Sequence, residues 1–395
     1  MTDSTRKALL PAGLRDLLPP EAEHEARAVA ALLACLRAHG YERVKPPLLE
    51  FEDTLLGGND QAVAGRTFRL MDPVSRRMMG VRADITPQIA RIAATRLGAA
   101  PRPLRLCYAG EVMRVTGTQL RPERQFCQVG AELIGAAQAA AGDAEVVLLA
   151  AEMLAAIGVT GLSIDLNLPT LVPMLCAGLD LDAATAERLR LALDRKDAAA
   201  VAAIDDAEGG GLFGALLAAA GPAEPALAAL AALNLPAAPA AAARRLTAVV
   251  TLILEACRDM RQGMRLTVDP VENRGFEYHT GVGFTIFADG ARGELGSGGR
   301  YRAEAGLGDG AGDGEPATGF TLFMDTVLRV LPAPEPAPRL FLPLGAPAEA
   351  GARLRDEGWI TVQGLTPADD DGAEARRLGC SHVLVDGRAE PVTGR

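Results

Sequence analysis

The sequence predicts an α+β protein: an antiparallel sheet flanked by helices, interrupted by a helical insertion and followed by a small C-terminal α/β unit. Three observations lead there. Two β-rich runs, Leu104 to Ala109 and Phe126 to Ile134, stand either side of a polar, arginine-bearing loop, the pattern of adjacent antiparallel strands with a long connection. Residues from about 170 to 265 are helical by pattern throughout. Beyond a proline-rich stretch, short strand and helix patterns alternate in under 60 residues.

Taken in order, Pro19-Pro20 followed by Val29, Leu32, Leu33 and Leu36 at helical spacing, with Gly40 as the stop, predicts a long amphipathic helix. Phe68 to Met71 and Met78 to Val81, parted by Asp72-Pro73-Val74-Ser75, predict a hairpin that delivers Arg82 and Asp84 to its end. Thr86-Pro87 has the form of an N-cap and N1 pair for a helix from Gln88 to Leu97. The loop Arg114 to Arg124 between the long strands is where chemistry would sit. Asp143 to Ile157 predicts an apolar helix and Leu162 to Leu168 a strand. Inside the insertion, the Ala/Pro-rich stretch Gly221 to Ala243 reads as short helices or a loose connection.

Strand character returns in Gly281 to Phe287. Gly290 to Gly314 reads as a glycine-rich turn region ending in a mobile loop, and Thr318 to Leu331 has the period of a buried helix. The domain reading is therefore a core over 1–331, a semi-rigid proline-rich linker over 332–338 and a small unit over 339–395. That unit holds Leu340 to Leu344 (strand), Ala348 to Glu357 (helix), Ile360 to Gly364 (strand), Ala373 to Leu378 (helix) and His382 to Val385 (strand).

Composition excludes several classes of function. The longest apolar runs, Val146 to Ile157 and Val249 to Ala256, are too short or interrupted to span a bilayer, and MTDSTRK leads into no signal-type segment. No membrane and a cytoplasmic address are expected. Six scattered cysteines form no CxxC pair, and four histidines (His24, His39, His279, His382) show no ligand spacing. They fit reduced thiols and no metal. A net charge of −10 without a basic stripe argues against non-specific grip on nucleic acid.

Three separated segments carry polar residues of complementary charge: Asp84 and Thr86 in VRADITPQ; Arg114, Gln128 and Glu132 in GEVMRVTGTQLRPERQFCQVGAE; Arg274 and Tyr278 in ENRGFEYHTG. A site for an amino acid needs both acids and arginines, because each buried ion left unpaired costs several kcal/mol. Taken singly the pieces have plainer uses. Arg114 and Glu132 on neighbouring strands make a cross-strand pair, and Asp84-x-Thr86-Pro87 is a helix start. The glycine-rich segment Gly306 to Gly314 lacks the GxxxxGK[ST] spacing of a phosphate loop.

In combination and order they resemble histidyl-tRNA synthetase, a class II aminoacyl-tRNA synthetase, over roughly Pro11 to Leu331. VRADITPQIAR is similar to its amino-group-binding segment, Gly110 to Gly135 to motif 2, and NRGFEYH and GSGGRY to its two histidine-specific motifs. The resemblance implies a class II synthetase-like fold. It implies Asp84, Thr86 and Gln128 around the α-amino group, Glu132 on the imidazole, Arg114 and Arg274 near the carboxylate, and Tyr278 along the ring pocket. His279 stands where the synthetase usually has a second tyrosine, and Gly298, Gly299 and Arg300 would form a close turn beneath the pocket.

The chain departs from a working synthetase where ATP would bind. In the stretch ATGFTLFMDTVLRVL, Thr326 takes the position of the motif 3 arginine and Phe323 that of a preceding glycine. A threonine cannot stabilise charge on a departing pyrophosphate, and a phenylalanine crowds the nucleotide. Arg329, one helical turn on, is the remaining cation that could reach that face. Arg114 is followed by Val115-Thr116-Gly117 without the usual acidic residue. The C-terminal unit, resembling a shortened anticodon-binding domain, carries seven arginines against nine acids.

This pattern matches the synthetase-like regulatory subunits of ATP phosphoribosyltransferase. The match implies no catalytic residues, no cofactor, no tRNA, L-histidine as effector, a class II-type dimer, and a short-form catalytic chain as partner. The alternatives are an active or divergent histidyl-tRNA synthetase, for which retention of Arg274 speaks, and a synthetase-like module serving another partner.

Overall fold

Strands β5 (Leu104–Met113) and β6 (Gln125–Ile134) pair antiparallel over their full length, with Leu104 opposite Ile134 and Met113 opposite Gln125. They lie within a nine-stranded sheet in this computed structural model, which describes residues 9–55, 65, 67–119, 121–208, 211–257, 263–273, 278–303, 314–333 and 337–392. Around them the order is β1 (Glu42–Arg43), β5, β6, β12 (Glu315–Phe323), β11 (Gly296–Ala303), β10 (Gly283–Ala288), β7 (Leu162–Asn167), β9 (Arg265–Asp269) and β8 (Gly221–Pro222). The β1–β5 and β7–β9 pairs are parallel and the others antiparallel.

The sheet is covered on both faces, so β6 is buried on both sides from Phe126 onward. Val129, Ala131 and Leu133 point to one face, into the main core with Leu32 and Leu36 of α1 (Glu21–Ala38) and with α4 (Ala139–Ala156). Residues two apart on a strand share a face, which sends Gln128, Gly130 and Glu132 the other way. There a second core of Ile85, Ile89, Ala90 and Ala93, at the start of and along α3 (Thr86–Thr95), packs with Leu106 and Tyr108. Beside it lies a three-stranded sheet ordered β2 (Leu49–Phe51), β4 (Met78–Val81), β3 (Phe68–Met71); a short helix, α2 (Glu52–Leu55), follows β2. Asp72 shapes the β3–β4 turn by accepting from the backbone N–H groups of Val74 and Ser75.

The insertion contains α5 (Leu171–Gly178), α6 (Ala183–Asp194), α7 (Ala198–Glu208), α8 (Leu212–Ala218), α9 (Ala223–Ala232) and α10 (Ala237–Cys257). It is not wholly helical, since β8 extends the main sheet by pairing with β9. Helix α10 is, by length and composition, long and apolar enough to cross a membrane, contrary to the run-by-run reading of the sequence. Arg244, Arg245, Thr247 and Thr251 break the apolar run without ending the helix. Its Leu246, Val249, Val250 and Ile253 are fully buried in the main core.

Three further expectations are corrected. Thr318 to Phe323 belongs to β12, and helix α11 (Met324–Val330) begins only after it. Seven successive residues, Ala317 to Phe323, are buried, and a strand buried on both faces loses the alternation that tells it from a helix. The turn region expected over Gly290 to Gly314 contains β11, and Gly298, Gly299 and Arg300 are consecutive strand residues, not a turn. Glycines there answer to close packing against β10 and β12. The segment 304–313 lies outside the described residues, as do 334–336 of the linker.

The chain divides into two compact units, Met1–Pro332 and Ala333–Arg395. The second is a four-stranded sheet ordered β14 (Ile360–Gln363), β13 (Arg339–Leu342), β15 (His382–Val385), β16 (Arg388–Pro391), with helices α12 (Ala348–Asp356) and α13 (Asp371–Arg377). β16 pairs antiparallel with β15 through a tight turn at Asp386-Gly387, both at positive φ.

Candidate functional site

Glu132 sits in mid-sheet, 1% exposed, opposite Leu106 on one side and Gly319 on the other. A side chain at 319 would run into its carboxylate, and one at 130 into the Tyr108 hydroxyl. Glycine at both positions makes room for functional groups that the register brings together.

The carboxylate accepts hydrogen bonds from Tyr301 (2.9 Å, to Oε2), Thr86 (3.1 Å, to Oε1) and Tyr108 (3.3 Å, to Oε1). Burial pushes Glu132 up to about 8 against the pull of the Tyr301 and Thr86 hydrogen bonds, and the nearby Asp84 charge adds to the rise. Burial also holds the Tyr301 and Tyr108 phenols well above their ordinary range, so both stay O–H groups. Tyr108 is fixed in turn against Thr321, 2.8 Å away.

Thr86 is the first residue of α3, with Ile85 as N-cap, and makes no capping bond with its side chain. This corrects the expected N-cap role: the hydroxyl is turned to Glu132. Asp84 serves the helix start in its place, its Oδ1 accepting from the Thr86 backbone N–H at 2.8 Å. Gln128, fully buried, accepts from the Ile85 N–H (3.1 Å) and donates to Asp84 Oδ2 (3.2 Å). Before them Arg82, also buried, donates to the carbonyls of Glu111 (2.7 Å) and Pro46 (3.1 Å).

A cleft of about 220 Å³ opens over Glu132, with Thr86, Tyr301, Thr321, Tyr278 and His279 among its lining and Ser297, Gly298, Gly299 and Gly319 along its floor. Tyr278 is 59% exposed and lies against buried His279, ring centroids 4.1 Å apart and ring planes tilted by 35°. A side chain at 299 would collide with the His279 ring. Beneath the floor, buried Arg300 pairs with Asp143 of α4 (3.0 and 2.8 Å) and exchanges backbone bonds with Thr280 and Val282.

Of the residues expected at the site, Thr86, Glu132, Tyr278 and His279 line the cleft, and Asp84 and Gln128 brace Thr86 from behind. Arg114 is not among the lining residues; its guanidinium lies 4.9 Å from the Phe126 ring and 5.9 Å from that of Phe323. Arg274 lies outside the described residues. Tyr108, Tyr301 and Thr321 were not singled out in the sequence. Tyr301 closes the quoted GSGGRY motif, but Tyr108 and Thr321 become visible only when register sets them across Gly130.

Of the two residues read as departures from the synthetase, Phe323 is the last residue of β12 and Thr326, 1% exposed, sits in the first turn of α11. The Arg121 guanidinium lies 3.8 Å from the Phe323 ring centroid and pairs with Asp325 (3.4 Å) and Glu294 (3.3 Å). Arg329 pairs with Glu123. Chemically, the cleft offers one buried carboxylate and aromatic surface from Tyr278, His279 and Tyr301, suited to receiving an N–H from a small polar ring.

The histidyl-tRNA synthetase family model matches residues 13–327. The chain is similar to ATP phosphoribosyltransferase regulatory subunits of Rhodospirillum centenum, 58% identical over 100% of both chains, and of Paramagnetospirillum magneticum, 57% identical over 97% of this chain and 98% of that one. Its fold is like the crystal structure described as an ATP phosphoribosyltransferase regulatory subunit/histidyl-tRNA synthetase from Bacillus halodurans. That match has a TM-score of 0.78 and 23% identity, over 94% of this chain and 96% of that one.

Proposed function

Because the chain belongs to the family of ATP phosphoribosyltransferase regulatory subunits, and through residues 13–327 to the histidyl-tRNA synthetase family, we propose that it senses free histidine without activating it. The observation that carries this reading is how the cations near Phe323 are used. Thr326 brings no charge, Arg121 is engaged by Phe323, Asp325 and Glu294, Arg329 by Glu123, and Arg114 lies over the Phe126 and Phe323 rings. A triphosphate needs cations that its phosphates can claim.

Histidine would enter the cleft with its imidazole toward Glu132 and its ammonium toward Thr86, with Asp84 and Gln128 behind it. Arg114 and Arg274 would answer its carboxylate, as fork-shaped donors suit that group. Glu132 would take the ring N–H as a carboxylate, so the ligand stabilises the charged form that burial disfavours. Tyr278 and His279 would face the ring.

The partner in this reading is a short-form ATP phosphoribosyltransferase catalytic chain in the cytoplasm, joined to a class II-type dimer of this subunit. Bound histidine would disfavour the active arrangement of the complex. Linkage then requires that substrates favouring that arrangement weaken histidine binding by the same factor.

The test is to combine the chain with the short catalytic chain and follow phosphoribosyl transfer with and without histidine. Transfer should require this subunit and fall as histidine is added. Histidine-dependent pyrophosphate exchange by the chain alone would overturn the reading in favour of a synthetase.

A further inference from the structure

Three side chains of metal-ligand type meet where α1 and α4 pack together, on the opposite face of the sheet from the cleft. Cys35 and His39 are four residues apart at the end of α1, and the His39 N–H still bonds to the Cys35 carbonyl (3.2 Å), so both project from one face of the same turn. Glu152 reaches them from α4, its Oε1 3.1 Å from His39 Nε2. The Sγ, ring nitrogen and carboxylate oxygen all lie within 4.8 Å of one another.

We propose that Cys35, His39 and Glu152 form a binding site for zinc or a similar borderline divalent transition ion, linking α1 to α4. Bonds of about 2.0 to 2.3 Å in a tetrahedral shell set ligand atoms roughly 3.5 Å apart, so small side-chain rotations suffice. A donor set of one sulfur, one nitrogen and one oxygen selects zinc or cobalt over magnesium or calcium. His39 and Glu152 are exposed at 40% and 53% of their side chains, which leaves the fourth position to water.

Binding is balanced by one proton. The Cys35 S–H proton leaves to solvent as the metal–sulfur bond forms, and Glu152 binds as a carboxylate. The His39 ring keeps one proton by moving it from Nε2 to Nδ1, which frees the Nε2 lone pair for the metal in place of the hydrogen bond to Glu152. Without an ion, burial and the Glu152 charge hold the Cys35 thiol up. A divalent cation reverses that field. Linear spacing hides the site, because Cys-x-x-x-His supplies two ligands and the third comes from a helix 113 residues further on.

The test uses the full chain, without an affinity tag, freed of metal by chelation and kept reduced. Cobalt(II) should bind one per chain, with a thiolate-to-cobalt charge-transfer band and the strong visible absorption of a tetrahedral centre, and zinc should bleach both. Cys35→Ser should abolish the band. It should also weaken zinc binding by more than the roughly tenfold loss that even an outer-shell partner can cause. Glu152→Gln should weaken zinc likewise while circular dichroism of the metal-free chain stays unchanged. Absence of the band, its survival in Cys35→Ser, or equal zinc affinity in the parent and both variants would overturn the proposal.

Discussion

The hydroxyl of Tyr301 on β11 donates to Oε2 of Glu132 on β6, 2.9 Å away across β12, and both groups are buried. The intervening strand contributes Gly319 opposite Glu132, which is why two side chains separated by a whole strand can meet. The phenol fixes one carboxylate oxygen, and Thr86 and Tyr108 fix the other. Replacing Tyr301 by Phe should weaken histidine binding about tenfold, the worth of a hydrogen bond to a charged group. Calorimetry would check this, and unchanged affinity would remove Tyr301 from the site.

Glu132→Gln keeps the shape and removes the charge. Histidine affinity should fall by on the order of 1 to 3 kcal/mol. The ligand-free protein should respond in the opposite direction. Glu132 is held up at about 8 in the folded chain, so its contribution to stability is full below the ordinary carboxylate range and is lost as pH rises through about 8. Melting temperatures measured from pH 5 to 9 should therefore decline less in the variant than in the parent. Parallel curves would mean that Glu132 is not the buried acid that titrates there.

Gly319→Ala places a methyl group against the Glu132 carboxylate. Overpacking of this kind costs about 1 to 3 kcal/mol, and here the strain falls on the carboxylate the ligand must meet. We expect a folded protein with histidine binding lost, seen as a melting temperature that histidine no longer raises. A normal histidine response would show that the carboxylate can move aside.

Arg121→Ala leaves Asp325, 7% exposed, without its guanidinium. Breaking a buried pair from one side destabilises by about 3 to 5 kcal/mol, and urea unfolding should show a loss of that order. Arg121→Ala should not confer pyrophosphate exchange, because Thr326 still supplies no cation. A loss well under about 1 kcal/mol, the range of an exposed pair, would show that the contact is not held in solution.

Arg300→Met alone should be similarly costly, by about 3 to 5 kcal/mol, since it strands Asp143 in the core; adding Asp143→Leu should recover most of it. Histidine titration of the recovered double variant separates folding from function. Arg300 bonds through its backbone to Thr280 and Val282, which follow His279, so the double variant should fold and bind. Failure to bind would give the ion pair a role in holding the cleft.

Much of the architecture was legible in the chain. Val29, Leu32, Leu33 and Leu36 announced α1 because one face of a surface helix stays apolar. The runs around Leu104 and Phe126 announced β5 and β6 because residues bracketing a polar loop need partners. Thr318 to Phe323 misled, since a strand buried on both faces shows no alternation. Thr86 misled in another way: its place before proline is that of a cap, but a buried carboxylate nearby is a stronger claim on its hydroxyl.

By itself the sequence determined the residue types that an amino-acid site requires, their order along the chain, and a neutral Thr326 at the position where the synthetase resemblance implies an arginine, because identity and order are properties of a line of residues. Only the tertiary structure decided that Tyr108, Thr321 and Tyr301 converge on Glu132, that Arg121 lies on Phe323, and that Cys35 and His39 meet Glu152. Those meetings depend on strand register and helix packing, which set distances between residues far apart in the chain.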